Sequence, residues 1–392
     1  MRRRCKAPAL VSWRQGDVYN RAMAHPLLGT LSPAAFLARH WQKRPLFVRD
    51  AVPHCGEWLQ TDRLFELAAR EDVVSRLVTR TRGRWHVEHG PFRRDTLRRM
   101  PARGWTLLVQ GVEQFVPEAS QLLQHFSFIP HARLDDLMVS YAAPGGGVGP
   151  HFDSYDVFLL QGAGSRQWRI SAQQDLSLID NAPLRILKNF QPAQDWKVEQ
   201  GDLLYLPPRY AHDGVAESPC MTLSVGFRTP RKQELAADFL NFLQDNLDLD
   251  GMIEDAGLPL QAHPGELPAF LMDKFAHVLK NIRWSDADVW RFAGCHLTEP
   301  KPQVVFQRPR RAMALGGFTQ RVMKRGVQLA LPTRALFSGN QFFINGECHA
   351  IERNHRGALV RLADTRVTPA FAPSAATARL LHAWYCAGYI NA

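Results

Sequence analysis

A histidine and an aspartate stand one residue apart, at His151 and Asp153, after a glycine-rich run and before an apolar stretch. Because side chains alternate along a β-strand, a strand that begins here presents both residues on one face. A second histidine, His212, follows a strand-like segment that Pro207 and Pro208 end. Two imidazoles and one carboxylate are the ligands of Fe(II) enzymes that keep adjacent coordination positions open for a co-substrate and dioxygen. The sequence therefore predicts that His151, Asp153 and His212 bind Fe(II).

An arginine at the start of the next predicted strand suits a dicarboxylate co-substrate. Arg166 lies 15 residues after His151, in the segment RQWRI. Its planar guanidinium matches the far carboxylate of 2-oxoglutarate, whose keto acid end would share the metal. Ser140 and Ser224, on flanking strands, are predicted to help bind it. Arg169, three residues further on, is predicted to face the other side of the strand.

Each of these residues alone has an ordinary explanation. An HxD pair arises often by chance, and a single loop histidine is more often a surface residue. The glycines before His151 allow either close approach of a substrate backbone or only a tight turn into the strand. The combination of the pair, the arginine and the distant histidine favours the metal site.

The elements around this cluster predict a mainly β region. Between about residues 76 and 228, short apolar segments such as WTLLVQGV and YDVFLLQGAG are separated by Gly and Pro, which favours a β-sandwich or barrel. Upstream, Ser32 followed by Pro33 is typical of a helix start, RPLFVRDAV has the composition of a strand, and 57–75 has that of a helix. From about residue 312 short strands alternate with helices, which indicates a small α+β domain.

The region after Pro230 is predicted to be helical and to form a homodimer. Segments such as RKQELAADFLNFLQDNLDL are amphipathic, with Leu235, Phe239 and Phe242 on one side. The apolar faces over 231–300 exceed what one small bundle would bury. Packing against the β region is the alternative.

The length of 392 residues predicts two or three domains, and the 6 cysteines form no CxxC pair, so we expect them to be reduced. No apolar run is long enough for a membrane span or a signal peptide core, which predicts a cytoplasmic protein without a membrane partner.

The net charge of +11 is concentrated at the ends, with +5 in residues 1–22 and +10 in 301–392. We predict a disordered basic leader over 1–22, with Met23 as an alternative start. The basic C-terminal part either contacts RNA or is a solvated surface.

Several segments resemble one known family. PGGGVGPHFDSYDVFLLQGAGSRQWRI, GDLLYLPPRYAHDGVA and SVGFRTP are similar to the core of JmjC-type oxygenases, and within them to the bacterial ribosomal oxygenases. FLARHWQKRPLFVRDA resembles the entry segment of that family. The resemblance implies a fold that is mainly β with α, a double-stranded β-helix of the cupin or JmjC jelly-roll type. It implies an oxygenase domain over 23–230, a helical dimerisation region over 231–300 and a winged-helix-like domain over 301–392.

The resemblance also implies a function. The expected reaction is 3-hydroxylation of an arginine on large-subunit ribosomal protein sixteen, with Fe(II), 2-oxoglutarate and O2. His151, Asp153 and His212 then become the iron ligands and Arg166 the 2-oxoglutarate clamp. A histidine hydroxylase or a demethylase of the same fold is the alternative within enzymes, because fold does not fix substrate. A metal-bound cupin that acts as an RNA-binding ribosome assembly factor is the non-enzymatic alternative.

Overall fold

The computed structural model of the chain describes residues 25–392, so the leader predicted at 1–22 and the start at Met23 lie outside the described residues. That range contains the strands β1 (Leu46–Val48), β2 (Ser75–Thr81), β3 (Arg84–His89), β4 (Trp105–Val109), β5 (Leu134–Ala142), β6 (Asp156–Ala163), β7 (Ser165–Ser171), β8 (Gln194–Glu199), β9 (Leu203–Leu206), β10 (Ala211–Ala216), β11 (Cys220–Phe227), β12 (Gln328–Leu329), β13 (Ala335–Ser338), β14 (Gln341–Ile344), β15 (Glu347–Ala350) and β16 (Ile390–Asn391). It also contains the helices α1 (Pro33–Arg39), α2 (Thr61–Ala68), α3 (Arg94–Arg98), α4 (Pro117–Gln124), α5 (Lys232–Asn246), α6 (Ala269–Lys280), α7 (Asp286–Thr298), α8 (Leu315–Arg325), α9 (Arg356–Thr365) and α10 (Ala375–Ala387).

Two antiparallel sheets face each other in the region before residue 230. The larger has the order β1-β9-β6-β11-β5-β4-β2-β3, and the smaller has the order β10-β7-β8. Strand β6 shows how alternation serves both sides: Phe158 and Leu160 pack into the core beneath the N-terminal helices, whereas Val157 and Leu159 pack with Trp168 of the smaller sheet. Because both faces of the central strands are covered, β11 is buried at every position. The predicted double-stranded β-helix is therefore confirmed.

Short helices cover the outer face of the larger sheet. Ser32 Oγ accepts a hydrogen bond from Ala35 N at 3.2 Å, which is the predicted helix cap at the start of α1. Phe36 of this helix is fully buried, with its ring 4.9 Å from that of Tyr205. The strand predicted in RPLFVRDAV is limited to β1, because Asp50 has a φ of 51° and turns the chain.

The C-terminal part has a hydrophobic core of its own. It is built from Phe318 and Val322 of α8, Leu381 and Trp384 of α10, and Phe342 of β14. Strands β13, β14 and β15 form one sheet, and the short strands β12 and β16 form another. This arrangement confirms the predicted α+β unit.

The helices between these two parts leave large apolar side chains in solvent. Leu240 is 63% exposed, Leu279 is 66% exposed and Trp290 is 61% exposed. The homodimer predicted from this region stays a prediction. None of the helices within residues 25–392 is both long and apolar enough to cross a bilayer. The cysteines described there are all free, as expected from their spacing.

Candidate active site

Three side chains of the types predicted for metal binding come together in a cavity between the two sheets. His151, Asp153 and His212 each offer one ligand atom, and these atoms all lie within 4.8 Å of one another. The Nε2 atom of His212 is 3.7 Å from Oδ2 of Asp153. In the described part of the chain, no other group of three or more such side chains is this close together.

The backbone that brings these residues together differs from the predicted strand. His151 and Asp153 lie before β6, so simple alternation along a strand does not orient them. His151 instead forms an isolated antiparallel bridge with His212, with N–H to O=C hydrogen bonds of 2.9 and 2.8 Å. The carbonyl of Asp153 accepts a hydrogen bond from Arg209 N at 2.7 Å, which holds this loop against the residues before β10. Gly149, with a φ of 81°, turns the chain into the bridge, where a Cβ would meet the Trp85 ring.

Hydrogen bonds to carbonyl groups fix the imidazole tautomers. Nδ1 of His151 lies 2.8 Å from the carbonyl oxygen of Gly149, and Nδ1 of His212 lies 2.8 Å from that of Tyr210. With Nδ1 protonated and donating, each Nε2 keeps its lone pair for a metal ion. Burial, together with the neighbouring His151, lowers the pKa of His212 to about 4. His212 is therefore neutral near pH 7, as a metal ligand must be.

Arg166 is buried in the same cavity with most of its hydrogen-bonding capacity unused. It is 5% exposed, and its Nη1 donates a hydrogen bond of 3.4 Å to Ser140 Oγ. Its Nε and Nη2 atoms have no partner among the described residues. The guanidinium lies 5.5 Å from the Trp168 ring. A buried cation with free donors is costly unless an anion completes the site, so this geometry fits a carboxylate ligand.

The other residues predicted for this site lie where the sequence suggested. Ser140 bonds Arg166 as described, and Ser224 of β11 lines the cavity. Arg169 forms an ion pair with Asp213 and does not line the cavity, whereas Arg166 does. This confirms that the two arginines lie on opposite faces of the strand, as predicted.

Other side chains of the cavity were not predicted. Thr106 of β4 is 1% exposed, and its Oγ1 has no hydrogen-bond partner among the described residues. Met138 and Tyr155 also line the cavity, whose volume is about 240 Å³. The only sequence signal for Thr106 was a polar residue within the apolar strand WTLLV.

One side of the cavity is acidic. Asp135 and Asp136, at the start of β5, line it together with Lys301, which comes from the segment between α7 and α8. The Nζ atom of Lys301 is 3.1 Å from Oδ1 of Asp135 and 3.1 Å from Oδ2 of Asp136. Burial raises the pKa of Asp136, and the charge of Asp135 adds to this effect while Lys301 opposes it. No pattern in the sequence predicts a lysine at this place.

The fold and the site together define a class of protein. A double-stranded β-helix carries two histidines and an aspartate at one point of its cavity and a buried arginine at another. A JmjC domain model matches residues 121–235, and a ROXA-like winged helix model matches residues 281–391. The protein is therefore a JmjC-type 2-oxoglutarate-dependent oxygenase.

Individual relatives narrow this class. The chain is 33% identical over 338 residues to the ribosomal protein uL16 3-hydroxylase of Escherichia coli, a match that covers 85% of this chain and 89% of the relative. It belongs to the ribosomal oxygenases, as the resemblance predicted. An X-ray structure of E. coli YcfD matches with a TM-score of 0.81 at 31% identity and covers 92% of this chain and 98% of that one. A structure of this E. coli ribosomal oxygenase in complex with cobalt and 2-oxoglutarate matches with a TM-score of 0.78, at the same identity and coverage.

Proposed function

We propose that this protein hydroxylates an arginine side chain of the large-subunit ribosomal protein uL16 at its β-carbon, with Fe(II), 2-oxoglutarate and O2. The observation that carries the proposal is a single cavity that holds the three candidate metal ligands, a buried arginine with free donors and an acidic pair. The name of the E. coli relative supports uL16 as the substrate. The E. coli complex with cobalt and 2-oxoglutarate supports the cofactors.

In this proposal each residue has a defined role. His151, Asp153 and His212 hold Fe(II), because both Nε2 atoms and the carboxylate face one point. Arg166 binds the far carboxylate of 2-oxoglutarate; Ser140 contacts Arg166, and the hydroxyl groups of Ser224 and Thr106 line the same cavity. Iron with 2-oxoglutarate and O2 supplies the oxidant that replaces an unactivated C–H bond by C–OH, with succinate and carbon dioxide as co-products. The protein orients the reactants and shields them from water.

The acidic side of the cavity favours arginine as the target residue. A guanidinium carries a fixed positive charge and five N–H donors, which pair well with a carboxylate. Asp136 lines the same cavity as the candidate metal ligands, so a substrate arginine in that cavity can pair its guanidinium with this carboxylate. A neutral histidine would gain less from this carboxylate. A lysine substrate of a demethylase would present one compact charge rather than a planar fork.

The test is to incubate the purified full chain with recombinant uL16, Fe(II), 2-oxoglutarate and air, and to map the product by tandem mass spectrometry. We expect one added oxygen atom on the β-carbon of an arginine, with an equal amount of succinate. The His212→Ala variant is the inactive control. Oxygen added to a histidine, or loss of a methyl group from lysine, would contradict the proposal in favour of the alternative enzymes. Steeply salt-dependent RNA binding without succinate formation would support the assembly factor.

The organisation predicted from the sequence is part of this proposal. We propose an oxygenase domain over 23–230, a helical dimerisation region over 231–300 and a winged-helix-like domain over 301–392. The exposed apolar side chains of α5, α6 and α7 support the homodimer. The charge of +10 over 301–392 supports a weak contact with ribosomal RNA. A substrate that is a ribosomal protein is consistent with the cytoplasm.

A further inference from the structure

We propose that Lys301 is a positioning residue for the substrate: it reaches from the C-terminal part of the chain into the active-site cavity and holds Asp136 ready for the substrate guanidinium. This inference rests on the proposed function, because it assigns a partner to the arginine that is hydroxylated. Within residues 25–392 the Lys301 ammonium forms no hydrogen bond or ion pair with the metal ligands or with Arg166. It acts through the carboxylate of Asp136.

The first support is the place of Lys301 in the fold. It lies 165 residues from Asp136 in the chain, yet its ammonium bridges the carboxylates of Asp136 and Asp135 at 3.1 Å each. Its side chain is 29% exposed. Pro300 and Pro302 flank it, and each proline restricts the backbone on its own side. The lysine is therefore presented on a stiff segment and not on a free loop.

The second support is that the two oxygen atoms of the Asp136 carboxylate have different neighbours. Oδ2 accepts the hydrogen bond from Lys301, whereas Oδ1 lies beside Gly226 in the cavity. In residues 25–392 no other side chain donates to this carboxylate within hydrogen-bonding distance. One oxygen is thus fixed by Lys301, and the other is available to a guanidinium N–H of the substrate.

The third support is the charge around the acidic pair. Asp135 is also bound by Arg228, whose Nε is 3.3 Å from Oδ1, and Arg334 lies 3.8 Å away. Behind them Glu113 is buried and accepts a hydrogen bond from Leu137 N at 2.9 Å. Asp136 has only Lys301 within ion-pair distance in the described structure. Removal of the ammonium would therefore leave Asp136 buried beside two other acidic groups.

The expected consequence is a loss of negative charge at Asp136. Burial, Asp135 and Glu113 disfavour its ionised form, Arg334 favours that form from beyond ion-pair distance, and Tyr155 offers only a neutral hydroxyl on the cavity side. Without Lys301 the pKa of Asp136 should rise further, and a protonated carboxyl binds a guanidinium poorly. The binding defect should then be greatest at low pH and should shrink as the pH rises.

Lys301 also lines a second cavity, where the C-terminal part of the chain meets the β region. A smaller cavity of about 80 Å³ lies between the two parts of the chain and is also lined by Asp135 and Lys301, together with Arg334 of the C-terminal part. Arg334 donates to the carbonyl groups of Leu134 and Asp135 at the start of β5. The C-terminal part thus forms hydrogen bonds to the strand that carries Asp136. It also supplies Lys301, the cation that pairs with the Asp136 carboxylate.

The test compares full-length variants in the uL16 hydroxylation assay, with KM and kcat measured for uL16 and for 2-oxoglutarate across pH. Lys301→Met removes the charge and keeps much of the apolar length. Lys301→Arg keeps the charge. Lys324→Met, at an exposed position of helix α8, makes the same charge change in the C-terminal part away from the cavity and is the matched control.

We expect Lys301→Met to raise the KM for uL16 by about tenfold near neutral pH, with kcat and the KM for 2-oxoglutarate within about twofold of the wild type. The rise should diminish at higher pH, and Lys301→Arg should restore most of the affinity. In an Asp136→Asn background, Lys301→Met should add little, because the carboxylate through which it acts is already gone.

Three outcomes would overturn the inference while leaving the proposed function intact. In Lys301→Met, the KM for uL16 could be unchanged, or it could be lower, which would show that the lysine competes with the substrate. The third outcome is a loss of kcat and of 2-oxoglutarate affinity that Lys301→Arg does not restore. A wild-type enzyme that does not modify uL16 would overturn both the proposed function and the inference.

Discussion

Replacement of Arg166 by methionine should weaken 2-oxoglutarate binding and spare the metal site. The guanidinium is 5% exposed, and its Nε and Nη2 have no protein partner in the described structure, so they are free to donate to one carboxylate. Loss of a buried bidentate contact of this kind costs about 3 kcal/mol, which corresponds to a roughly 100-fold rise in the dissociation constant of 2-oxoglutarate. Methionine keeps apolar contact with Trp168, which limits the structural disturbance.

The assay is anaerobic isothermal titration of the full chain with 2-oxoglutarate in the presence of Fe(II), and separately with Fe(II) alone. Arg166→Lys should give an intermediate loss, because a lysine supplies a point charge but not a planar fork. Arg169→Met is the matched control, since Arg169 pairs with Asp213 and does not line the cavity. If Arg166→Met binds 2-oxoglutarate as tightly as the wild type, Arg166 does not hold the co-substrate. If it also loses iron, its role is structural.

Three further predictions concern the metal site, packing and pH. Asp153→Ala should abolish succinate formation measured by enzymatic assay, because it removes the carboxylate of the three-residue cluster; full activity would exclude Asp153 as a ligand. Gly294→Ala should lower the free energy of unfolding by about 1–3 kcal/mol in a urea titration, because the added Cβ would clash with the Phe343 ring. Gly316→Ala is the control and should leave the free energy of unfolding no lower, because a Cβ at that position meets open space. Stability should fall as the pH drops from about 6.5 to 4, because burial lowers the pKa of His25 to about 4 and the unfolded chain takes up the proton first. In His25→Phe, unfolding titrations over this pH range should show a smaller fall, and an equal fall would exclude His25.

The sequence predicted the residues of the candidate site better than the backbone that carries them. His151, Asp153 and Arg166 were found because their types and spacing indicate one kind of chemistry, and the structure places them around one cavity. The argument from strand alternation was wrong for His151 and Asp153, which lie before β6. A bridge to His212, more than 50 residues away, orients His151, and local patterns do not reveal such long-range pairing.

The residues that the sequence did not reveal are those placed by contacts between distant segments. Thr106 was inconspicuous in an apolar strand, and its unpaired hydroxyl becomes visible only once β4 is packed beside the site. Lys301 stands between Pro300 and Pro302, and nothing in that local sequence indicates a role in the site. Its function depends on Asp136, which lies on another part of the chain.

The most direct test of the proposed iron site is an anaerobic titration of the protein with Fe(II) and then with 2-oxoglutarate, followed by visible absorption spectroscopy. One iron per chain should bind, and addition of 2-oxoglutarate should produce a new visible charge-transfer band. That band should be absent in His212→Ala and should require far more 2-oxoglutarate in Arg166→Met. A band that persists unchanged in His212→Ala, or wild-type protein that binds no iron, would show that the three side chains do not share one metal ion.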